Sequence, residues 1–329
     1  MLRAQVTRDA SLHIPVMLDE VTTALKPEAG KVLIDATFGN GGYSTHFLNM
    51  SNCYVVALDR DPDAIARGQA IVEAFSGRLI LYEGSFSAIR HMVSGTDFEQ
   101  VDGIAFDLGV CSTQLDQAER GFSFRLDGPL DMRMTLAGES AGDVVNSYKE
   151  EQIADILWRY GEERASRRIA RAIVKARTDC PIARTGQLAE IIHHVMPRPK
   201  PGQPDSATRT FQALRIHVNR ELDELEQALA ACVHLLKPGG ILAVVSFHSL
   251  EDRIVKKFMA GMSGRKGRPS RHRPDLEADS PPLFTLVSRK PVLPSSAEEQ
   301  VNPRARSAKL RVARRTDAPA ISLPHGGVS

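Results

Sequence analysis

The chain has 329 residues, 42% of them hydrophobic, and a formal net charge of +2. This length allows one large domain, or a domain with a subdomain, around a substantial core. The near-neutral charge excludes a polycation, so any contact with nucleic acid must come from local basic patches. None of the four cysteines forms a Cys-x-x-Cys pair, which indicates neither a zinc knuckle nor a disulfide framework. The opening residues carry charges without an apolar run, and the apolar stretches are too short to cross a bilayer, so we expect a cytoplasmic protein with reduced thiols and no membrane contact.

Short apolar runs alternate with helical patterns in the first third of the chain. Three of these runs end at Asp35, Asp59 and Asp107, and a fourth, RLILYEGSF, lies between the last two. Near-continuous apolar strands separated by helices are typical of a parallel sheet that is covered on both faces. The sequence therefore predicts an α/β fold with these carboxylates at the carboxyl edge of the sheet.

The alternation stops after Asp107. From about Ser112 to Arg215 the apolar residues recur at helical spacing only, which predicts an inserted all-helical subdomain. The strand pattern resumes with ILAVVSFHS, and the segments LFTLVSRK and ARSAKLRVARR predict an antiparallel hairpin at the sheet edge. The expected division is an α/β domain made of residues 1–114 and 216–315, a helical subdomain at 115–215, a flexible basic loop at 260–282 and a disordered tail at 316–329.

A glycine turn follows the first strand in the stretch VLIDATFGNGGYSTHFL. Ligands of open α/β sheets bind beyond the carboxyl ends of the strands, where glycines allow the backbone to approach them. Asp59 follows Gly39 by 20 residues (59 − 39), the place of an acidic residue that holds the ribose hydroxyls of a nucleotide. The dinucleotide pattern G-x-G-x-x-G requires a third glycine at position 44, where this chain has Ser44.

These features leave three alternatives at this turn. S-adenosylmethionine has no pyrophosphate and does not need the third glycine, so a methyltransferase is favoured over a nicotinamide-dependent oxidoreductase. A tight turn without a ligand is the third alternative. It is disfavoured because Asp35, Asp59 and Asp107 would converge on one edge, which is unfavourable for carboxylates without partners.

Four long motifs in the rest of the chain carry a family resemblance. Together with HIPVMLDEV at residues 13–21, they resemble the bacterial small-subunit ribosomal RNA cytosine-N4 methyltransferase family, called MraW, over nearly the whole chain. The motifs are DLGVCSTQLDQAERGFSFRLDGPLDMRM (107–134), ATRTFQALRIHVNREL (207–222), SFHSLEDRIVKKF (246–258) and NPRARSAKLR (302–311).

The resemblance implies a Rossmann-like S-adenosylmethionine-dependent methyltransferase fold with an inserted helical domain. It implies methyl transfer to N4 of a cytidine in the decoding centre of 16S ribosomal RNA, with the RNA presented in the 30S subunit. Oligomeric state is left open, a homodimer included. A non-catalytic assembly factor that binds ribosomal RNA is the alternative from another class.

The resemblance also assigns the cofactor contacts. Tyr43 stands where the family usually has histidine, so a contact through the imidazole would be lost and one through the backbone would be kept. The residues that match the family's cofactor site are Gly41, Gly42, Tyr43, Asp59, Phe86, Asp107 and Gln114.

Two residues are candidates for the chemistry. Many amino-methyltransferases have Asp/Asn-Pro-Pro-aromatic after the fourth strand, whereas this chain has DLGV, so Asp107 is expected to bind the cofactor, the target amino group or both. His248 follows the fifth long strand and would orient or deprotonate the base. Ser249 is expected to cap the next helix with Asp252 as the partner of a capping box.

The segment RGFSFRLDGPLDMRM is the predicted RNA-contacting wall of the active site. Aromatic side chains can stack on an exposed base, and arginines can bind phosphates. The candidates are Arg120, Phe122, Phe124, Arg125 and Arg133. The arginines of the segment RASRRIARAI are expected to form a solvated helix face, and the loop GRKGRPSRHR is expected to be a tether that can also touch phosphate. No metal site is predicted.

Overall fold

The computed structural model describes residues 15–197, 202–264 and 281–320. Seven strands within them form a single sheet: β1 (Val32–Asp35), β2 (Tyr54–Asp59), β3 (Leu79–Glu83), β4 (Val101–Asp107), β5 (Leu236–Ser246), β6 (Phe284–Leu286) and β7 (Lys309–Arg315). Their order across the sheet is β3-β2-β1-β4-β5-β7-β6. Strands β1 to β5 run parallel, and β7 is antiparallel to both of its neighbours. The predicted edge hairpin is confirmed by the β6–β7 pairing.

The first half of the α/β domain places a helix after most strands. Asp61 caps α3 by accepting a hydrogen bond from the Asp63 N–H at 3.0 Å, and Pro62 occupies the first helical position, where no N–H is needed. The helices of this half are α1 (Leu18–Leu25), α2 (Gly42–Met50), α3 (Pro62–Ala74), α4 (Ile89–Val93) and α5 (Ser112–Asp116).

Five of the helices between β4 and β5 share a hydrophobic core of their own. They are α6 (Ala141–Ser147), α7 (Glu150–Gly161), α8 (Ser166–Asp179), α9 (Thr185–Val195) and α10 (Thr208–Asn219). Phe122, Ile153, Ile169 and Leu214 are among the side chains buried in this core. The described residues between β4 and β5 contain no strand. The α10 helix runs through position 215, so its last turn reaches beyond the division expected from sequence.

The rest of the chain completes the α/β domain. Its helices are α11 (Glu221–Leu235), α12 (Ser249–Met262) and α13 (Ser296–Val301). Successive residues of one strand enter different cores: Ile34 packs on one side of the sheet and Leu33 on the other. Because both faces of the sheet are covered, the strands read as continuous apolar runs. The predicted α/β fold with an all-helical insertion is confirmed.

Some predictions concern residues outside the described ranges. They are the start of the HIPVMLDEV motif, residues 265–280 of the loop predicted at 260–282, and the end of the predicted tail. The first residues of that predicted loop belong to α12, which ends at Met262. Among the described residues, no helix combines the length and the apolar character that a bilayer crossing requires.

Candidate functional site

Three carboxylates meet at the carboxyl edge of the sheet, as the sequence predicts. Asp35, Asp59 and Asp107 end the neighbouring strands β1, β2 and β4. Asp35 is 1% exposed, accepts a 2.7 Å hydrogen bond from the Ser44 hydroxyl, and has its pKa raised to about 6 by burial. Burial also raises the pKa of Asp59. Burial disfavours the ionised form of these carboxylates. A cationic ligand bound at this edge would stabilise their negative charge.

Asp107 is the least satisfied of the three. Its carboxyl Oδ1 is buried and has no hydrogen-bond partner among the described residues. Burial, followed by the charges of Asp35 and Glu251, raises the pKa of Asp107 well above its ordinary value. The backbone N–H of Asp107 donates to the Thr37 hydroxyl at 2.7 Å, which fixes the end of β4 against the glycine turn. A buried acceptor without a donor costs about 1–3 kcal/mol, so this atom is available to a ligand.

The glycine turn is tied to the end of β2. Gly39 has φ +55° and Gly41 has φ +74°, values of the left-handed region that glycine adopts without strain. The Gly39 N–H donates to Asp59 Oδ2 at 2.7 Å, and the Asp61 N–H donates to Asp59 Oδ1 at 2.9 Å. Each oxygen of Asp59 keeps a further lone pair, so the carboxylate can still accept from a ribose hydroxyl.

Gly41 and Gly42 were expected to be glycines so that a ligand could approach the backbone. Their surroundings in the structure correct this reason. A Cβ on Gly41 would lie 2.8 Å from the Phe38 ring and one on Gly42 would lie 2.2 Å from Pro15 Cγ. The space that a side chain would take is therefore filled by the protein itself. Any contact of these two glycines with a ligand has to be made by their backbone.

The side chain of Tyr43 is likewise excluded as a contact with the cofactor. The residue is 3% exposed, its ring stacks on Phe47 with centroids 5.9 Å apart, and its hydroxyl donates to the Val16 carbonyl at 2.5 Å. The phenol is thus part of the core beneath the turn. Only the backbone of Tyr43 remains for the contact that the resemblance implies.

Phe86 lies after β3 at the same edge of the sheet. Its ring is half-buried and meets Phe106 edge-to-face at 5.7 Å between centroids. The short 3₁₀ turn that carries it, Phe86–Ala88, is capped by Ser85. The exposed part of the ring can form one wall of a ligand site.

A buried carboxylate at Asp61 organises the site, a role that the sequence pattern does not predict. Asp61 is 0% exposed and accepts from Gln114 Nε2 at 2.7 Å and from Arg120 Nη1 at 2.9 Å. The only local signal was its place before Pro62, which is typical of a helix N-cap. Gln114, predicted to contact the cofactor, has its amide bound inside the protein, since its Oε1 also accepts from the Cys111 N–H. Its role is therefore to support the loop after β4.

The prediction that Arg120 binds phosphate is corrected, because its side chain has a structural role. It is 5% exposed, its Nη1 binds Asp61 and Asp63, and its Nη2 donates to the carbonyls of Arg133 and Met134 at 3.1 and 3.2 Å. These contacts engage both terminal nitrogens of the guanidinium, while its buried Nε has no hydrogen-bond partner among the described residues. The loop after β4 is held to the start of α3 by this side chain.

The other residues that were predicted to contact RNA differ in the exposure of their side chains. Phe122 is 6% exposed in the helical core, which corrects its expected role as a stacking surface. Phe124 is half-buried and meets Phe211 edge-to-face at 5.0 Å. Arg133 is partly exposed and paired with Asp131 at 2.6 Å. Arg125 is exposed, so it is the member of the group most accessible to a phosphate.

The first two of the four long motifs, residues 107–134 and 207–222, meet around Asn219. Its side-chain amide donates to the Met132 carbonyl at 2.7 Å, and its Oδ1 accepts from the Met134 N–H at 2.9 Å. Asn219 is 2% exposed, so this link is made in the interior. The end of α10 thereby fixes the loop that follows β4.

The capping of α12 differs from the prediction. His248 is the N-cap, and the Glu251 carboxylate accepts from the backbone N–H of both Phe247 and His248. Ser249 lies inside the helix and donates to Glu162, while Asp252 pairs with Arg311 at 2.7 Å. Neither residue forms the predicted capping box, because both side chains bind partners that are distant in sequence.

His248 itself lies in a charged cluster. Its Nε2 lies 3.1 Å from Glu251 Oε1, and the side chain is 11% exposed. Glu221 lies within reach of both groups, but its two oxygens are held by Arg215 at 2.9 Å each. With that guanidinium in place, the cluster is a network of paired charges, and it does not resemble a cation site.

The fold and the site together define a class. A sheet in which only the seventh strand is reversed, with a glycine turn after β1 and acidic residues ending β1, β2 and β4, is the Rossmann-like arrangement of methyltransferases.

The chain belongs to the MraW methylase family, whose model matches residues 10–316, so the resemblance seen in the sequence is confirmed. A protein of Rhodospirillum centenum is 56% identical over 313 residues, which cover 95% of each chain. One of Paramagnetospirillum magneticum is 55% identical over 309 residues, covering 94% of this chain and 97% of that protein. One of Rhodospirillum rubrum is 51% identical over 319 residues, covering 96% and 98%. All three are named ribosomal RNA small subunit methyltransferase H.

Proposed function

We propose that this chain transfers a methyl group from S-adenosylmethionine to N4 of a cytidine in the decoding centre of 16S ribosomal RNA. Family membership and the names of the relatives support the reaction class and the small-subunit RNA. The observation that carries the proposal is the buried, unpartnered Oδ1 of Asp107 at the edge shared with Asp35 and Asp59. A cationic cofactor and an amino group both match an acceptor at this place.

The residues at the edge fit the cofactor. Asp59 would hold the ribose hydroxyls, Phe86 would lie beside the adenine, and Gly41 to Tyr43 would contact the cofactor through their backbone. The acidic edge complements the positive sulfonium and ammonium groups. When bound, the cofactor supplies an electrophilic methyl group.

Asp107 would carry the chemistry at the target base. The amino nitrogen of cytosine is a weak nucleophile because its lone pair is delocalised into the ring. A carboxylate that accepts from the amino group can hold it while the nitrogen becomes tetrahedral, and alignment of this kind is worth several kcal/mol. The nitrogen must later lose a proton. With the cationic cofactor favouring the ionised form of Asp107, its carboxylate would take this proton, and water is the other candidate.

His248 is the second catalytic candidate, because it follows β5 at the carboxyl edge of the sheet, where its Nε2 lies 3.1 Å from Glu251 Oε1. The residue also caps α12 through Nδ1. The variant His248→Asn separates the two roles, since asparagine is a good N-cap but lacks the imidazole. A fall in kcat with an unchanged melting temperature supports action on the base. Full turnover at saturating substrate contradicts it.

The RNA would lie against the loop after β4 and the helical subdomain of residues 115–215, with the 30S particle as substrate. Arg125, Phe124 and Arg133 are the accessible residues of the predicted set. We expect Arg125→Ala to reduce the salt dependence of RNA binding by about one phosphate contact. An unchanged slope would remove Arg125 from the interface.

Calorimetry tests the cofactor directly. We expect S-adenosylmethionine and S-adenosylhomocysteine to bind and NAD not to bind. Binding of NAD alone would favour an oxidoreductase. If the chain binds ribosomal RNA but binds neither S-adenosylmethionine nor S-adenosylhomocysteine, the result would favour the assembly factor.

A further inference from the structure

The chain's single tryptophan, Trp158, is 57% exposed on α7. Its neighbours Ile156 and Leu157 are buried in the helical core, so the exposure of Trp158 results from the face of the helix that it occupies. A tryptophan left in water forgoes a large hydrophobic gain, and such side chains are enriched where another molecule binds.

Trp158 lines a groove between the helical insertion and the α/β domain. Arg164 follows α7, Arg209 lies in the first turn of α10, and Leu250 and Arg253 lie at the start of α12 on the opposite side. The groove therefore combines one broad aromatic surface with guanidinium groups from separate elements.

The groove is held together from within. Glu162 Oε1 accepts from Arg253 at 2.7 Å and Glu162 Oε2 accepts from Ser249 at 2.5 Å, which joins α7 to α12. Arg209 Nη1 donates to the Glu162 carbonyl at 3.2 Å. A Cβ on Gly161 would lie 2.6 Å from the Arg209 carbonyl, so glycine is what lets α7 and α10 approach here.

The charge that remains in the groove is positive. Glu162 is the acidic residue that lines it, against four arginines: Arg159, Arg164, Arg209 and Arg253. Arg159 is paired with Asp155 at 2.8 Å. Arg164 forms no ion pair in the part of the chain that the structure describes.

We propose that this groove binds single-stranded RNA next to the target cytidine, with a base stacked on Trp158 and phosphates at Arg164 and Arg209. Stacking on an aromatic ring combined with backbone-tracking cations is the general mode of single-strand recognition. The groove lies close to the carboxyl edge of the sheet, because its lining residues Leu250 and Arg253 follow His248, the N-cap of α12, by two and five residues. This inference rests on the proposed function and adds a second RNA contact to it.

Selective excitation of tryptophan gives a direct test, since Trp158 is the single tryptophan of the chain. We expect the octamer r(C)₈, titrated into the full chain without cofactor, to quench the emission of Trp158 and to compete with 30S subunits. Binding of r(C)₈ seen by anisotropy with no change in emission would overturn the stacking contact.

Kinetics on 30S subunits provide the second readout. We expect Trp158→Ala to raise KM about tenfold with little change in kcat, and Trp158→Phe to restore most of the loss. We expect Arg164→Ala to raise KM and lower the salt slope. Arg171→Ala is the matched control, because Arg171 is paired with Glu150 and does not line the groove.

Unchanged KM in the Trp158 and Arg164 variants of an active enzyme would overturn the groove while leaving the proposed function intact. Absence of methylation by the wild type would overturn the proposed function, and the r(C)₈ titration would still decide the groove.

Discussion

Arg120 and Asp61 form a buried ion pair that joins the loop after β4 to the first turn of α3. Their side chains are 5% and 1% exposed, and Arg120 Nη1 lies 2.9 Å from Asp61 Oδ2. The same guanidinium binds two carbonyls near the end of the loop. The wall of the candidate site thus depends on a charge pair in the interior.

Removing one partner of this pair should be costly. Asp61→Ala leaves Arg120 buried without its main counter-charge and also removes the cap of α3, so we predict a loss of about 3–5 kcal/mol in the free energy of unfolding. Asp63→Ala is the matched control: Asp63 contacts the same guanidinium but is 45% exposed, and its loss should cost about 1 kcal/mol or less. Urea denaturation measures both. Equal losses would show that the buried pair is not the critical link.

The raised pKa of Asp107 predicts a pH-dependent stability. Burial, then the charges of Asp35 and Glu251, keep the proton on folded Asp107 at pH values where the unfolded chain has lost it. Stability contributed by this site therefore falls as pH rises from the ordinary pKa through the folded one. We predict that Asp107→Asn is more stable than the wild type near pH 8 and that the difference shrinks towards about pH 4.

Thermal unfolding across this pH range measures the difference. The same variant should lose methyl transfer. A stability difference that does not vary with pH would contradict the titration of Asp107, and full activity would contradict its proposed role.

Tyr43→Phe tests whether the tyrosine side chain serves the fold alone. The variant removes a buried hydrogen bond to the Val16 carbonyl and keeps the ring that stacks on Phe47. We predict a loss of about 0.5–1.5 kcal/mol in unfolding free energy and no change in the affinity for S-adenosylmethionine. Calorimetry on the folded variant checks the second part. Weaker binding would mean that the hydroxyl reaches the cofactor.

Gly42→Ala and Gly261→Ala make a matched pair within helices. At Gly42 the new Cβ would lie 2.2 Å from the Pro15 ring, which cannot swing away, whereas at Gly261 nothing lies within 4 Å. We predict destabilisation for Gly42→Ala. Gly261→Ala should be neutral or stabilising by up to about 1 kcal/mol, because alanine has the higher helix propensity. Comparable melting temperatures for the two variants would show that the contact with Pro15 is loose.

The sequence was sufficient wherever neighbouring residues determine the outcome. The strands ending at Asp35, Asp59 and Asp107 could be predicted because burial on both faces requires continuous apolar runs. The helical insertion could be predicted from its periodicity. Long-range partners could not: Arg120 looks like an available cation until Asp61, 59 residues earlier in the chain, is placed beside it.

The same reason explains the other corrections. Ser249 was a plausible cap on local grounds, but its hydroxyl is bound by Glu162, which belongs to the inserted helices. Phe122 looked available for stacking because a loop sequence does not show which of its aromatics the helical core will bury. Side-chain direction in an irregular loop is set by tertiary packing.

The most direct measurement is nucleoside mass mapping of 16S ribosomal RNA after incubation of 30S subunits with the chain and a deuterium-labelled methyl donor. We predict the label in N4-methylated cytidine at one position of the decoding centre, and its loss with folded Asp107→Asn. Label in another nucleoside, or no label although the donor binds, would contradict the proposed function.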